Sequence, residues 1–363
     1  MHNSIIARLA LNHCLLPLFH PYFHSGERGY DIWEEDTKLP FINPSTHESS
    51  AAACVPFLEN AFKDVATVLK FGAAEVASKL PTYLSIIGPC APDMLLFSDT
   101  QRTIMIISYT THSETSPLAF AAKMLVFFLP MMQLVWDKKS QNEWFVFIEL
   151  DTYVNWANLH RFLRHFDPSQ SHYFGSPVWL ANRLLVTYGK KFRDNDLVAG
   201  SQRSGKDLSK ECCGEVLAQV LTECRVTNSG YWPMFNGEKS TPIWFGKEHY
   251  CEAIITLHHL NEADFAGMQR WEAARERASR PLTFEELFEY TKPSLQTQID
   301  HWTNMSEDVT RKALDAVVTS FNDCFEACLK DRKCVRYEHF GDTCGFSYTI
   351  RMGHEKQPEG SEK

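Results

Sequence analysis

The feature that most constrains this fold is an unbroken apolar run, Trp144-Phe145-Val146-Phe147-Ile148, followed at once by Glu149-Leu150-Asp151-Thr152-Tyr153. A short run rich in aromatic and β-branched residues, bounded by polar ones, reads as a strand buried on both faces. Shorter runs precede it: Val65 to Leu69, Met94 to Phe97 (stopped by Ser98-Asp99) and Ile104 to Ile107. Between them, Ala73 to Leu80 has helical character, with Pro81 near its end. Leu118 to Trp136 is also apolar, but Lys123, Pro130 and Gln133 mark it as a buried helix rather than a membrane span. Strands alternating with helices predict an α/β chain with a mostly parallel central sheet and helices on both faces. Such sheets bind ligands beyond the carboxyl ends of their strands, which points to the acids after Ile148.

Composition excludes some functions. The chain is 44% hydrophobic and 13% aromatic, so it can build a core. Its net charge is -9 and no Lys/Arg block stands out, which argues against nucleic-acid binding. The eleven cysteines are odd in number, so at least one is free or pairs between chains. Four cluster near the C-terminus, and that density indicates an oxidising compartment, with a glycosylation sequon at Asn304-Met305-Ser306 in agreement. Ser4 to Phe23 is rich in Ile and Leu but is broken by Arg8, Asn12, His13 and Pro17. It falls short of a spanning helix and reads as a degraded signal-anchor or an unrelated N-terminus. The polar, turn-rich stretch that follows, to about residue 55, reads as a stem.

Glu149 and Asp151 stand two residues apart, so in strand geometry both point to one side. Oxygen ligands in that arrangement suit Mn²⁺ or Mg²⁺, although a solvated strand end also commonly carries acids. Ile254 to Leu257 is an apolar strand ending in His258-His259, a pair that is either structural or metal-ligating. Glu215 follows Cys212-Cys213-Gly214 and opens a helix marked by Val216, Leu217, Val220 and Leu221, where an acid favours the helix dipole. Gly200 to Lys206 has the spacing of a phosphate loop, but Asp207 stands where Ser or Thr is needed, so the match is fortuitous. Cys324 and Cys328 have helical spacing, and Cys334 and Cys344 follow, in a pattern unlike common zinc sites. Four cysteines allow three connectivities.

The segment from Trp144 to Val154 resembles the WF-hydrophobic-DxDTYV motif of Fringe-like and core-1 β-1,3-galactosyltransferases. Asn158-Leu159, Phe166-Asp167-Pro168 and Tyr173-Phe174-Gly175-Ser176-Pro177 are similar to that family too, as are Val68 to Ala73, Lys79-Leu80-Pro81, Leu96 to Asp99 and Phe128 to Met131. Glu at the first acidic position resembles the fungal-type branch. The resemblance spans roughly residues 60–275 and implies a GT-A-type nucleotide-binding domain. It implies that Asp151 and His258 hold Mn²⁺ (or Mg²⁺), that Glu149 and Asp99 lie near the nucleotide, and that His259 has a lesser part. Glu215 matches the family's acid after Cys-Cys-Gly and is implied as general base, taking a proton from the acceptor hydroxyl. Trp232 to Glu238 and Phe245-Gly246-Lys247 resemble loops on the acceptor side. The C-terminal cysteines resemble a truncated PAN/Apple-type module, which implies Cys324–Cys344 and Cys328–Cys334 bridges.

The resemblance breaks at residues 183–206, where relatives carry a glycine-rich segment, approximately GGxGYVLS, and this chain has only scattered glycines. Side chains such as Gln202 and Arg203 block the close backbone approach that glycine permits. The sequence thus predicts a stem at 1–57, a GT-A-like domain at 58–290, a PAN/Apple-like module at 291–351 and a disordered tail at 352–363. The expected function is a metal-dependent inverting transferase moving galactose or a related hexose from a UDP-sugar to a glycan hydroxyl, in the Golgi or secretory lumen and in association with a membrane. The alternative is an inactive relative that binds glycan or a protein partner.

Overall fold

The computed structural model describes residues 62–72, 75–87, 93–100, 103–110, 118–120, 128–175, 226, 229–246, 249–275, 281–292, 298–312 and 320–356. By their contacts these group into two units, one within 28–237 and 254–281, the other within 238–253 and 282–363. In the first unit, β1 (Val65–Phe71) is followed by α1 (Leu80–Ile87), β2 (Asp93–Thr100), β3 (Thr103–Thr110), β4 (Leu118–Phe120), α2 (Phe128–Lys139) and β5 (Trp144–Glu149). The strands form one sheet in the order β4-β3-β2-β1-β5. β1 lies parallel to both β2 and β5. Ala66, Val68, Phe145 and Val146 are fully buried, which explains why these strands run apolar without alternation.

The sheet is mixed: β1, β2, β4 and β5 run one way, and β3 runs against its neighbours β2 and β4. Only residues 101 and 102 separate β2 from β3, enough for a hairpin but far short of the dozen or so residues that a parallel crossover takes. Two helices also lie elsewhere than expected. α1 begins at Leu80 instead of ending there, with Pro81 in its first turn, where a missing N–H leaves no hydrogen bond unmade. The apolar stretch from Leu118 divides into β4 and α2, and Pro130 likewise occupies a first helical turn.

Beyond β5, the two-residue strand β6 (Tyr153–Val154) pairs antiparallel with β7 (Thr256–Leu257), Tyr153 opposite Leu257. The pairing joins segments about a hundred residues apart, and α3 (Trp156–Leu163) secures it. Asn155, the cap of α3, donates its backbone N–H to the Ile255 carbonyl at 2.8 Å. Asn158, fully buried on α3, donates from Nδ2 to the Ile254 carbonyl at 2.7 Å. Phe162 on the same helix meets the rings of Phe166, Phe174, Tyr231 and Phe235 at centroid distances of 4.9–5.2 Å. After β7 comes α4 (Glu262–Ala273), started by a reciprocal capping box between Asn261 and Asp264.

The second unit holds α5 (Phe284–Thr291), β8 (Trp302–Thr303), β9 (Val309–Lys312), α6 (Phe321–Lys330), β10 (Arg336–Phe340), β11 (Thr343–Ser347) and β12 (His354–Glu355). β11 lies between β9 and β10, antiparallel to both. Cys324 and Cys328, one turn apart on α6, form disulfides with Cys344 and Cys334, with Cα–Cα distances of 5.7 and 5.4 Å. The four sulfurs and Phe346 make up the buried cluster here. This cluster has few apolar side chains of its own, and the covalent bridges make good the deficit. Cys251 is disulfide-bonded as well. Segment 238–253 joins this unit through Phe245 and Ile350, which exchange hydrogen bonds of 2.8 and 3.2 Å, and through Met352, which donates to the Thr241 carbonyl at 2.8 Å.

The sequon asparagine is internal to the second unit. Asn304 is 7% exposed, its Nδ2 donates to the Tyr337 carbonyl at 2.9 Å, and its Oδ1 accepts from the Ser306 hydroxyl. The amide that a glycan would occupy is thus committed to the fold. Among the described residues no helix is long and apolar enough to cross a membrane.

Candidate metal centre

β1, β2 and β5 run the same way, so their carboxyl ends share one edge of the sheet. Glu149 is the last residue of β5, and Asp99 lies next to the end of β2 on that same edge. A turn closed by a Thr152 N–H bond to the Glu149 carbonyl, at 3.0 Å, carries Asp151 beyond the edge. The buried Tyr83 of α1 donates its hydroxyl to the Thr152 carbonyl at 2.8 Å, which fixes this turn from below. Burial pushes the Tyr83 phenol well above its usual range, so it remains a donor.

The β6–β7 register delivers the histidines. With Tyr153 opposite Leu257, the next residue, His258, falls beside Asp151. His258 Nε2 lies 3.1 Å from Asp151 Oδ1 and 3.4 Å from Glu149 Oε2. His259 Nδ1 lies 3.5 Å from Asp151 Oδ2. His259 has φ of 60°, a left-handed conformation that costs a non-glycine residue roughly 1 kcal/mol or more and tends to occur at functional sites. The reversal also lets Leu260 donate its N–H to the Asp151 carbonyl at 3.0 Å. Asp151, His258 and His259 together offer ligand atoms that all lie within 4.8 Å of one another.

The donor chemistry fits a divalent ion of the Mn²⁺ class: one carboxylate and two imidazoles at a half-open edge. His258 is buried, with Nε2 turned to the carboxylates and Nδ1 lacking a hydrogen-bond partner among the described residues. Electrostatics agree. Burial disfavours charge on Asp151 and Glu149, yet the adjoining His258 overcomes it and holds both carboxyls below their usual range. Burial likewise opposes charge on His258, and the two carboxylates outweigh it and raise the imidazole pKa. The edge is therefore built to favour positive charge between its acids.

Two groups that the sequence did not single out support this geometry. Lys70 on β1 is the register partner of Glu149, and its Nζ lies 3.0 Å from Glu149 Oε1. A lysine near the end of an otherwise apolar strand was the available signal. Glu272 on α4 accepts from the Tyr153 hydroxyl and, at 2.6 Å, from Asn155 Nδ2, thereby clamping β6 from both sides. No local pattern marks it. Met234, in the loop expected near the acceptor, accepts the Ile255 N–H at 2.8 Å and so braces the strand that leads to His258. Glu215 and the 183–206 segment lie outside the described residues.

Residues 84–195 match a family model described as Fringe-like. Over that stretch the chain is similar to the Fringe-like family. The Fringe-like family is a glycosyltransferase family, and the match supports a glycosyltransferase role. It takes in β2 to β6, α3 and both acids, Glu149 and Asp151. No curated protein matches the chain.

Proposed function

We propose that this chain is a metal-dependent, inverting glycosyltransferase that moves galactose or a related hexose from a UDP-sugar to a glycan hydroxyl in β-1,3-type linkage. The observation that carries the reading is the convergence of Asp151, His258 and His259 at the carboxyl edge of the sheet. Asp151 and His258 hold the ion, with His259 completing the group. When bound, the ion would supply positive charge that offsets the charge building on the donor diphosphate as it leaves. Glu149 and Asp99 flank the nucleotide. Glu215 takes the proton from the acceptor hydroxyl as that oxygen attacks the anomeric carbon. In this reading the domain is of GT-A type, the C-terminal unit is a PAN/Apple-like module of the fungal branch, and the enzyme works in the Golgi lumen at a membrane.

Calorimetric titration of UDP into the full chain, with and without Mn²⁺, tests the reading. Binding that requires Mn²⁺ and weakens about a hundredfold in Asp151→Ala supports it. Folded protein that binds no UDP rejects it. That outcome favours the second reading, an inactive relative that binds glycan or a protein partner, to which the altered 183–206 sequence points.

A further inference from the structure

The metal group uses only one of the two acids at the edge. Glu149 Oε2 is 3.4 Å from the same His258 nitrogen that Asp151 approaches at 3.1 Å, so Glu149 is near enough to compete for a shared ion. Its other oxygen is turned away, to Lys70 at 3.0 Å. Both side chains are largely shielded, with relative exposures of 18% for Lys70 and 29% for Glu149, so their charges act strongly on each other. The pairing is fixed by the parallel register of β1 and β5, in which Lys70 and Glu149 are direct neighbours.

We propose that Lys70 is a positioning residue that withholds Glu149 from the metal and thereby sets the charge that the donor meets. The inference rests on the metal-site reading above. With neutral imidazoles, Lys70, Glu149 and Asp151 sum to one negative charge. A divalent ion turns that into one net positive charge, which attracts an anionic diphosphate. Without Lys70 the acids carry two negative charges, the ion is held more tightly, and the loaded site is neutral. Lys70 thus weakens metal binding in order to strengthen diphosphate binding.

The test uses the full chain and two titrations: Mn²⁺ alone, followed by its paramagnetic resonance, and UDP at saturating Mn²⁺, followed by calorimetry. Lys70→Met should bind Mn²⁺ several-fold more tightly and UDP roughly tenfold more weakly. Lys70→Arg should restore both. Glu149→Gln should weaken Mn²⁺ binding, and in that background Lys70→Met should tighten it much less than it does alone, a non-additivity that a general loss of packing does not produce. The double variant also serves if Lys70→Met alone folds poorly. Mn²⁺ binding by a folded Lys70→Met protein that is unchanged or weaker overturns the role of Lys70 while leaving the metal site intact. Wild-type protein that binds no Mn²⁺ overturns the metal reading and this one together.

Discussion

The two units solve the same problem, holding polar chemistry in a fixed place, by opposite means. In the first, apolar strands such as Val65–Phe71 and Trp144–Glu149 supply the rigidity, and charge gathers at one sheet edge where Lys70, Glu149, Asp151 and His258 balance one another. In the second, the cluster beneath α6 consists of two disulfides and Phe346, and the sheet around it has only three short strands. The first unit can place charges close together because hydrophobic burial elsewhere has already fixed the backbone. The cluster beneath α6 has few buried apolar side chains besides its sulfurs and depends on bonds that persist only in an oxidising environment.

The sharpest way to break this comparison is to remove the bridges. A Cys324→Ser/Cys344→Ser protein should lose about 3–5 kcal/mol in the second unit, visible as rapid cleavage there in limited proteolysis. Mn²⁺ binding by the first unit should change little. A parallel loss of metal affinity would mean that the first unit also depends on the bridges. A smaller effect is expected from Glu272→Ala, which leaves the buried Tyr153 hydroxyl without its acceptor. That should cost about 2 kcal/mol of stability and slacken the β6–β7 ladder, read as a lower thermal midpoint and weaker Mn²⁺ binding. Tyr153→Phe in the same background should recover part of the loss, since it removes the orphaned group. The smallest effects belong to the helix caps, one in each unit. Asn261→Ala and Ser320→Ala should each cost about 1 kcal/mol. Hydrogen exchange should place each loss in the helix concerned, α4 or α6.

What could be read from the sequence follows from the range of the interactions. The buried strand at Trp144–Glu149 and its acidic end were legible because burial on both faces leaves an unbroken apolar run. His258 and its strand were legible for the same reason, with help from the Fringe-like resemblance. The β2–β3 hairpin was missed because an apolar run does not reveal strand direction. The helices near Pro81 and Pro130 were misplaced because proline can open a helix as well as close one. Lys70 and Glu272 were invisible for a deeper reason. Their partners lie 79 residues away (Glu149) and 119 and 117 residues away (Tyr153 and Asn155), and only strand register and helix docking bring them together.

The second unit is assembled from separated stretches, with residues 238–253 contributed from between two parts of the first. The backbone therefore passes from one unit to the other at 237–238, 253–254 and 281–282. No single cut in the described chain releases either one whole. A ribosome that has emitted everything up to residue 281 has completed the described part of the first unit while leaving 238–253 waiting for strands not yet made. Thr283 to Glu285 can meet the insert soon afterwards, but the hydrogen bonds of Thr241 and Phe245 wait for Ile350, Met352 and Gly353, and this is the interval in which a chaperone or an oxidoreductase has most to do.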